Sequence, residues 1–217
     1  MDRDLFLSRV GQASLTSVLP ATPIGAGQVK APEGVDLVDL FRIRAQAVNA
    51  VVHGPVSRHG TPRAVASIAG GHDAGTFMAW DDLPVSGVAA TLQSAGVDRV
   101  DHWLDDDERV EHNLTYRALD VGITGADAAL AESGSLVLVH GEGRPRMASL
   151  IPDVHIALLD VSLVDWTLAT WAEKNSALVA ETTNLVVVTG PSRTGDIELQ
   201  LNLGVHGPRT VHIVMIK

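Results

Sequence analysis

The chain has 217 residues, 46% of them hydrophobic, and a formal charge of −10 at neutral pH. That length suits one domain with a substantial core, and the acidic balance argues against nucleic acid or an anionic membrane surface, both of which are gripped through excess Lys and Arg. There is no cysteine, which excludes disulfides and removes the usual thiolate ligands of iron–sulfur clusters.

The opening MDRDLFLSRV mixes acids with bases and leads into no signal-peptide stretch, and no run approaches membrane-spanning length. The cytoplasm is therefore the default location. A helix is predicted over Asp2–Ser17, followed by a Pro/Gly-rich connector between Pro20 and Gly34 that is expected to be mobile. Asp36–Val52 reads as a helix with Leu37, Phe41, Val48 and Val52 on an apolar stripe. Arg44 interrupts that stripe, either snorkelling along apolar surface or addressing an anion. A helix at Thr61–Ala69, a strand at Thr76–Trp80 and a helix at Val85–Ser94 alternate as in an α/β sheet. After Val97–Val100, the acids Asp105 to Glu108 and the histidines His102 and His112 match no compact ligand spacing, so a solvated turn and no metal site are expected. His53, His59 and His72 read as structural or surface groups.

The second half carries two strand-to-turn joints. At the first, ITGADAALAESGSLVLVHGEG from Ile123, Thr124 stands three residues before Asp127, the spacing of a helix cap. A short alanine-rich helix is predicted over Gly125–Ala131, ended by Gly134. Ser135–Val139 then reads as a parallel strand covered on both faces, because its apolar run does not alternate. Glu132 falls at the end of the predicted helix, where free carbonyls disfavour an anion. It is either a solvent-facing glutamate or a functional carboxylate in a cleft.

Val154–Leu159 is an apolar strand with His155 as a satisfied core histidine. Ser162 and Asp165 are spaced to cap a helix carrying Val164, Leu168 and Trp171 on one face, with Trp166 packing beneath a loop. At the second joint, the strand Leu185–Thr189 ends in Gly190-Pro191. If a helix starts near Asp196, then Ser192, Arg193 and Thr194 collect donors suited to a carboxylate or phosphate. Asp196 and Glu198 would weaken that field, and a capped surface turn is the plainer alternative. Ile197, Leu199, Leu201 and Leu203 alternate as in a strand, but the capping residues and Gly204 favour a short helix. His206 sits at the following turn, as a structural histidine or a ligand contact, and Thr210–Ile216 is the last strand. No dinucleotide, P-loop or GxSxG signature occurs.

ITGADAALAESGSLVL, the GEGRPR loop with SLIPDVHIAL, and GPSRTGDIE with GVHGP together resemble the lactate utilization protein C group of LUD-domain proteins. The resemblance covers roughly residues 118–217. It implies a fold akin to the ribose-phosphate isomerase, glucosamine-phosphate deaminase and CoA-transferase group, and a part in oxidising L-lactate to pyruvate beside two iron–sulfur partner proteins. The family's acidic-Gly motif falls on Glu132 and Gly134, its arginine loop on Arg144 and Arg146, its PSRT-type turn on Ser192, Arg193 and Thr194, and its acid-bearing helix on Asp196 and Glu198. Ser133 and Gly195 stand where threonine and alanine are common.

The expected architecture is a single three-layer α/β/α domain over residues 1–217 with a mainly parallel sheet. Its one pocket would lie beyond the strand carboxyl ends. There Arg144, Arg193, Gly190 and the 192–194 turn, with His206, would hold a small anion, and Glu132 would act as base, nucleophile or orienting acceptor. Thr124, Asp127, Gly134 and Asp196 would shape the site. Lactate oxidation needs an electron acceptor that side chains do not supply. An accessory or substrate-binding subunit without its own cofactor is therefore expected, with iron–sulfur clusters confined to partner proteins. The alternative is a stand-alone enzyme on a sugar phosphate, folate or CoA thioester with Glu132 as base or nucleophile, a reading that rests on fold analogy.

Overall fold

The computed structural model describes residues 30–101, 119–182, 184–195, 201–203 and 207–217. The predicted helix at Asp2–Ser17, most of the 20–34 connector, the acidic run with its two histidines, and Asp196, Glu198 and His206 lie outside them.

The elements run α1 (Leu37–Ala47), β1 (Val51–Val56), α2 (Thr61–Gly71), β2 (Thr76–Ala79), α3 (Val88–Ser94), β3 (Asp98–Arg99), β4 (Val121–Gly125), β5 (Ala128–Leu130), β6 (Ser135–Val139), α4 (Met147–Leu150) and β7 (Val154–Asp160). There follow β8 (Val164–Asp165), α5 (Leu168–Lys174), α6 (Ser176–Glu181), β9 (Leu185–Val188), β10 (Arg193–Gly195), β11 (Leu201–Leu203) and β12 (Thr210–Ile216). Among the described residues, six strands form an all-parallel sheet in the order β1-β12-β7-β4-β2-β3. A smaller sheet has the order β8-β5-β6-β9, and β10 and β11 make a separate antiparallel pair.

The two faces of the parallel sheet are covered differently. On one, Phe77, Val121, Ile123, Ile156, Leu158 and Val214 pack against Val65 and Ala69 of α2 and Val88 and Leu92 of α3. On the other, Met78, Ala157, Leu159, Ile213 and Met215 pack against Phe41 and Ala45 of α1, Ala148 of α4, and Leu136 and Leu138 of the small sheet. Each fully buried Leu, Ile, Phe or Met is worth about 1.5–3 kcal/mol. Parallel strands covered on both faces need no polar alternation, which is why β7 and β12 are apolar along nearly their whole length. The far side of the small sheet, through Ala128, Leu130, Val137 and Val139, packs on Trp171 of α5. The parallel sheet between helical layers is the expected α/β/α arrangement. No helix among the described residues is long and apolar enough to cross a membrane.

Several local expectations are corrected. Gly125–Ala131 is not a helix: Gly125 ends β4, and Ala128–Leu130 is a strand antiparallel to β6 and parallel to β8. Alanine's helix propensity is only a few tenths of a kcal/mol per residue. Here the small side chains, fully buried, let the strand lie between two packed layers. Thr124 therefore caps nothing, and Gly134 closes the turn between β5 and β6 rather than a helix. Its φ is +72°, and a Cβ there would stand 2.3 Å from Ala45 N and 2.4 Å from Arg44 C, so the turn lies directly on the backbone of α1. Ser135–Val139 is a strand, but it pairs antiparallel on both sides. The helix predicted to run through Val52 stops at Ala47, and Val51 begins β1. Asp165 lies in β8, and the next helix starts only at Leu168, where Thr167 and Thr170 form a capping box. Leu201–Leu203 is a strand paired with Arg193–Gly195, so the alternating period, not the helical one, describes it.

Candidate functional site

Parallel α/β sheets gather their ligands beyond the carboxyl ends of the strands. At that edge a cavity of about 310 Å³ is lined by Trp80 and Asp82 just after β2, Gly125, Ala126 and Asp127 at and after β4, Leu163 after β7, and Pro84 and Arg144. Its size is at the small end of ligand pockets.

Arg144 is held in place by the loop that follows β6. Gly141 and Arg144 bridge to each other, and Asp81 N donates to Gly143 O at 2.9 Å. Trp80 Nε1 donates to Pro145 O at 3.3 Å. His140 Nδ1 lies 3.3 Å from Arg144 O, and its ring meets Trp80 edge-on. The guanidinium lies 4.9 Å from the centre of a Trp80 ring, a cation–π placement. One of its edges addresses Asp127: Nη1 donates to Oδ1 at 2.9 Å, while Asp127 Oδ2 accepts from Val139 N at 2.7 Å. The other edge forks onto Asp82, with Nε to Oδ1 and Oδ2 at 3.0 and 2.8 Å and Nη2 to Oδ2 at 2.6 Å. Hydrogen bonding to Asp82 and then Asp127 pushes the guanidinium pKa above its ordinary value, against the opposing effect of burial. Arg144 is charged at any working pH.

Behind the cavity, Thr124 Oγ1 and His155 Nε2 lie 2.9 Å apart between β4 and β7. His155 is fully buried, and burial, aided by His140, lowers its pKa to about 4. It is neutral at pH 7. His155 Nδ1 and His140 Nε2 have no hydrogen-bond partner among the described residues. A second histidine group lies on the opposite face of the sheet, where His53 Nε2 and His72 Nε2 stand 2.8 and 2.9 Å from the two ring nitrogens of His212. Among the described residues no cluster of three or more His, Asp or Glu is arranged to hold a metal ion.

The residues singled out from sequence divide into two places. Arg144, Asp127 and the end of the strand bearing Thr124 meet at the cavity. Glu132 and Arg193 do not line it. Glu132 is exposed in the β5–β6 turn, where its backbone N donates to Trp166 O at 3.1 Å, and it makes no ion pair with a described residue. Arg146 is exposed at the start of α4.

Arg193 Nη2 donates to Val48 O at 3.2 Å and so satisfies a free carbonyl at the end of α1. Gly190, with φ +72°, lies against the same residue: a Cβ there would be 2.2 Å from Val48 O. Ser192 N donates to Pro208 O at 2.9 Å, and Thr194 is in β10. Ser133, Ser135 and Thr189 link the two joints by successive hydroxyl contacts of 2.7 Å. The joints do converge, then, but on a helix end that Arg193 already satisfies. Sequence reasoning missed Trp80, Asp82 and His140; the signal was the Trp80-Asp81-Asp82 run directly after a predicted strand.

Residues 38–216 match the family model described as the LUD domain. Lactate utilization protein C of Macrococcus caseolyticus is 32% identical over 147 residues, covering 65% of this chain and 62% of that protein. Its namesake in Exiguobacterium is 34% identical over 144 residues, covering 64% and 60%. The chain thus matches only about three fifths of the length of these relatives. The crystal structure of a DUF162 family protein from Deinococcus radiodurans shares the fold, with a TM-score of 0.60 at 24% identity over 83% of this chain and 96% of that one.

Proposed function

Since the chain belongs to the LUD domain family, we propose that it serves in lactate utilization, as the carboxylate-binding component of a cytoplasmic iron–sulfur system that oxidises L-lactate to pyruvate. The observation that carries this reading is Arg144. It is a planar cation held over Trp80 at the edge of a small cavity at the carboxyl ends of β2 and β4, and its fork, here paired with the Asp82 carboxylate, matches a carboxylate ligand. In this reading Arg144 orients the lactate carboxylate, Asp127 holds the other edge of the guanidinium, and Leu163, Pro84 and Ala126 supply apolar walls for a short carbon chain.

Oxidising L-lactate to pyruvate releases two electrons and two protons. Iron–sulfur clusters do not fit this sequence, which contains no cysteine, so in the proposed system they reside in partner proteins and take up the electrons there. The names of the relatives support the lactate assignment, and the partner arrangement is what the family resemblance implies, with the cysteine-free composition consistent with it.

The test combines binding and reconstitution. Calorimetry with L-lactate and pyruvate should give saturable binding that Arg144→Lys weakens at least tenfold. Mixing the chain with co-expressed cysteine-rich partners should yield lactate-dependent cluster reduction that the isolated chain lacks. Wild-type rates and KM in the Arg144→Lys mixture would refute the assignment of this cavity.

A further inference from the structure

We propose that the fork of Arg144 is a carboxylate slot occupied in this structure by the chain's own Asp82, so that Asp82 competes with the ligand and sets its affinity. The inference rests on reading this cavity as the ligand site and identifies what the ligand must displace.

The two acids on Arg144 are not equivalent. Asp127 is anchored: its side chain is 17% exposed and its second oxygen accepts from the Val139 backbone. Asp82 has a side chain 55% exposed, and among the described residues all of its side-chain hydrogen bonds go to Arg144. It sits in the segment joining β2 to α3, outside regular structure. A side-on pairing of both carboxylate oxygens with Nε and Nη2 is the geometry that a free carboxylate adopts on a guanidinium. Asp82 therefore occupies the position and satisfies the donors that a small organic acid would.

With Asp82 and Asp127 the pairing on the guanidinium carries a net charge of −1, and a monocarboxylate that takes Asp82's place on the fork leaves that pairing at −1 while the released Asp82 keeps its charge in the solvent beside it. The released aspartate returns to water from a position already half exposed, where an ion pair contributes little. Asp127, by contrast, stays in place and would oppose a dianion, so the slot selects a singly charged carboxylate over phosphate. Trp80 lies against the guanidinium and keeps its plane fixed during the exchange, and the cavity beside Arg144 receives the rest of the ligand. The guanidinium is never left without an anion.

The experiment measures Kd for acetate, pyruvate, L-lactate and inorganic phosphate at fixed ionic strength, on the full chain and on Asp82→Asn, Asp82→Ala and Arg144→Lys. Removing the internal competitor should tighten monocarboxylate binding about two- to sixfold in both Asp82 variants, with phosphate gaining less, and adding Arg144→Lys to either should abolish the gain. Two Asp82 variants with native near-UV circular dichroism and unchanged or weaker carboxylate binding would overturn the proposal, as would a gain for phosphate alone. The two readings separate cleanly. Lactate bound equally by wild type and Asp82→Asn sinks the competitor and leaves the lactate assignment standing. Tightened acetate and pyruvate with no lactate binding keeps the slot and sinks lactate.

Discussion

Replacing Gly134 by alanine tests how the β5–β6 turn is seated on α1. Two costs add. The residue has φ +72°, and placing an L side chain in that region costs about 1 kcal/mol. The new Cβ would also stand 2.3 Å from Ala45 N, 2.4 Å from Arg44 C and 2.7 Å from Ala45 Cα. All three are backbone atoms of a helix whose Phe41 and Ala45 are fully buried, so relief requires moving α1 or the turn, an overpacking cost of about 1–3 kcal/mol. The sum is about 2–4 kcal/mol. With a urea dependence of about 2 kcal/mol per molar, the unfolding midpoint should fall by about 1–2 M. Gly34 provides the internal control, because its φ is also +72° but, apart from its chain neighbours, no atom of the described residues lies within 4 Å of its ideal Cβ. Gly34→Ala should lose only the conformational part, about 1 kcal/mol. Equal midpoint shifts for the two variants would refute the seating of this turn on the helix.

Two further outcomes follow from the site. His155 has a pKa of about 4 in the fold against 6.5 for the free side chain, so as pH falls below 6.5 the unfolded chain takes up the proton first. Its contribution is constant above 6.5 and is lost as pH falls toward 4, amounting to about 3 kcal/mol in all. His212, likewise lowered to about 4 by burial and then by His53 and His72, acts in the same window. The paired change Thr124→Val with His155→Leu should flatten the stability–pH slope between pH 6.5 and 4.5 by roughly one proton, and an unchanged slope in chemical denaturation would contradict the buried neutral histidine. Arg193→Ala should cost less than about 1 kcal/mol, because it removes one exposed hydrogen bond to Val48 O, and should leave carboxylate affinity unchanged. Calorimetry showing lost binding would restore Arg193 to the anion site.

The segments that sequence reading placed well are those whose pattern is decided locally. Val154–Leu159 and Val211–Ile216 are apolar runs each broken only by one buried histidine, His155 and His212, a pattern that suits a doubly covered strand, and the helices at Thr61 and Val88 alternate with strands as read. Ala128–Leu130 was illegible because short alanine runs suit either state, and the choice is made by pairing with β6 and β8, distant information that propensity does not contain. β1 was absorbed into the preceding helix because Val52 happens to continue its stripe. At the site, the GEGRPR loop pointed to Arg144, but the two aspartates that flank it arrive from residues 62 and 17 positions away. Such a constellation follows from topology and not from spacing. Glu132 and Arg193 drew attention for sound electrostatic reasons, and the helix end beneath them explains Arg193 without a ligand.

The position of β12 imposes an order on assembly. Residues 210–216 lie between β1 and β7 and pair in parallel with both, so the first strand of the large sheet has no neighbour to dock on until this late segment is present. A nascent chain that has already made β2, β4 and β7 still holds Val51–Val56 as an orphaned ribbon. Completing the sheet then requires closing a loop of some 160 residues in one event, the kind of non-local pairing that slows folding and leaves apolar edges open to other chains meanwhile.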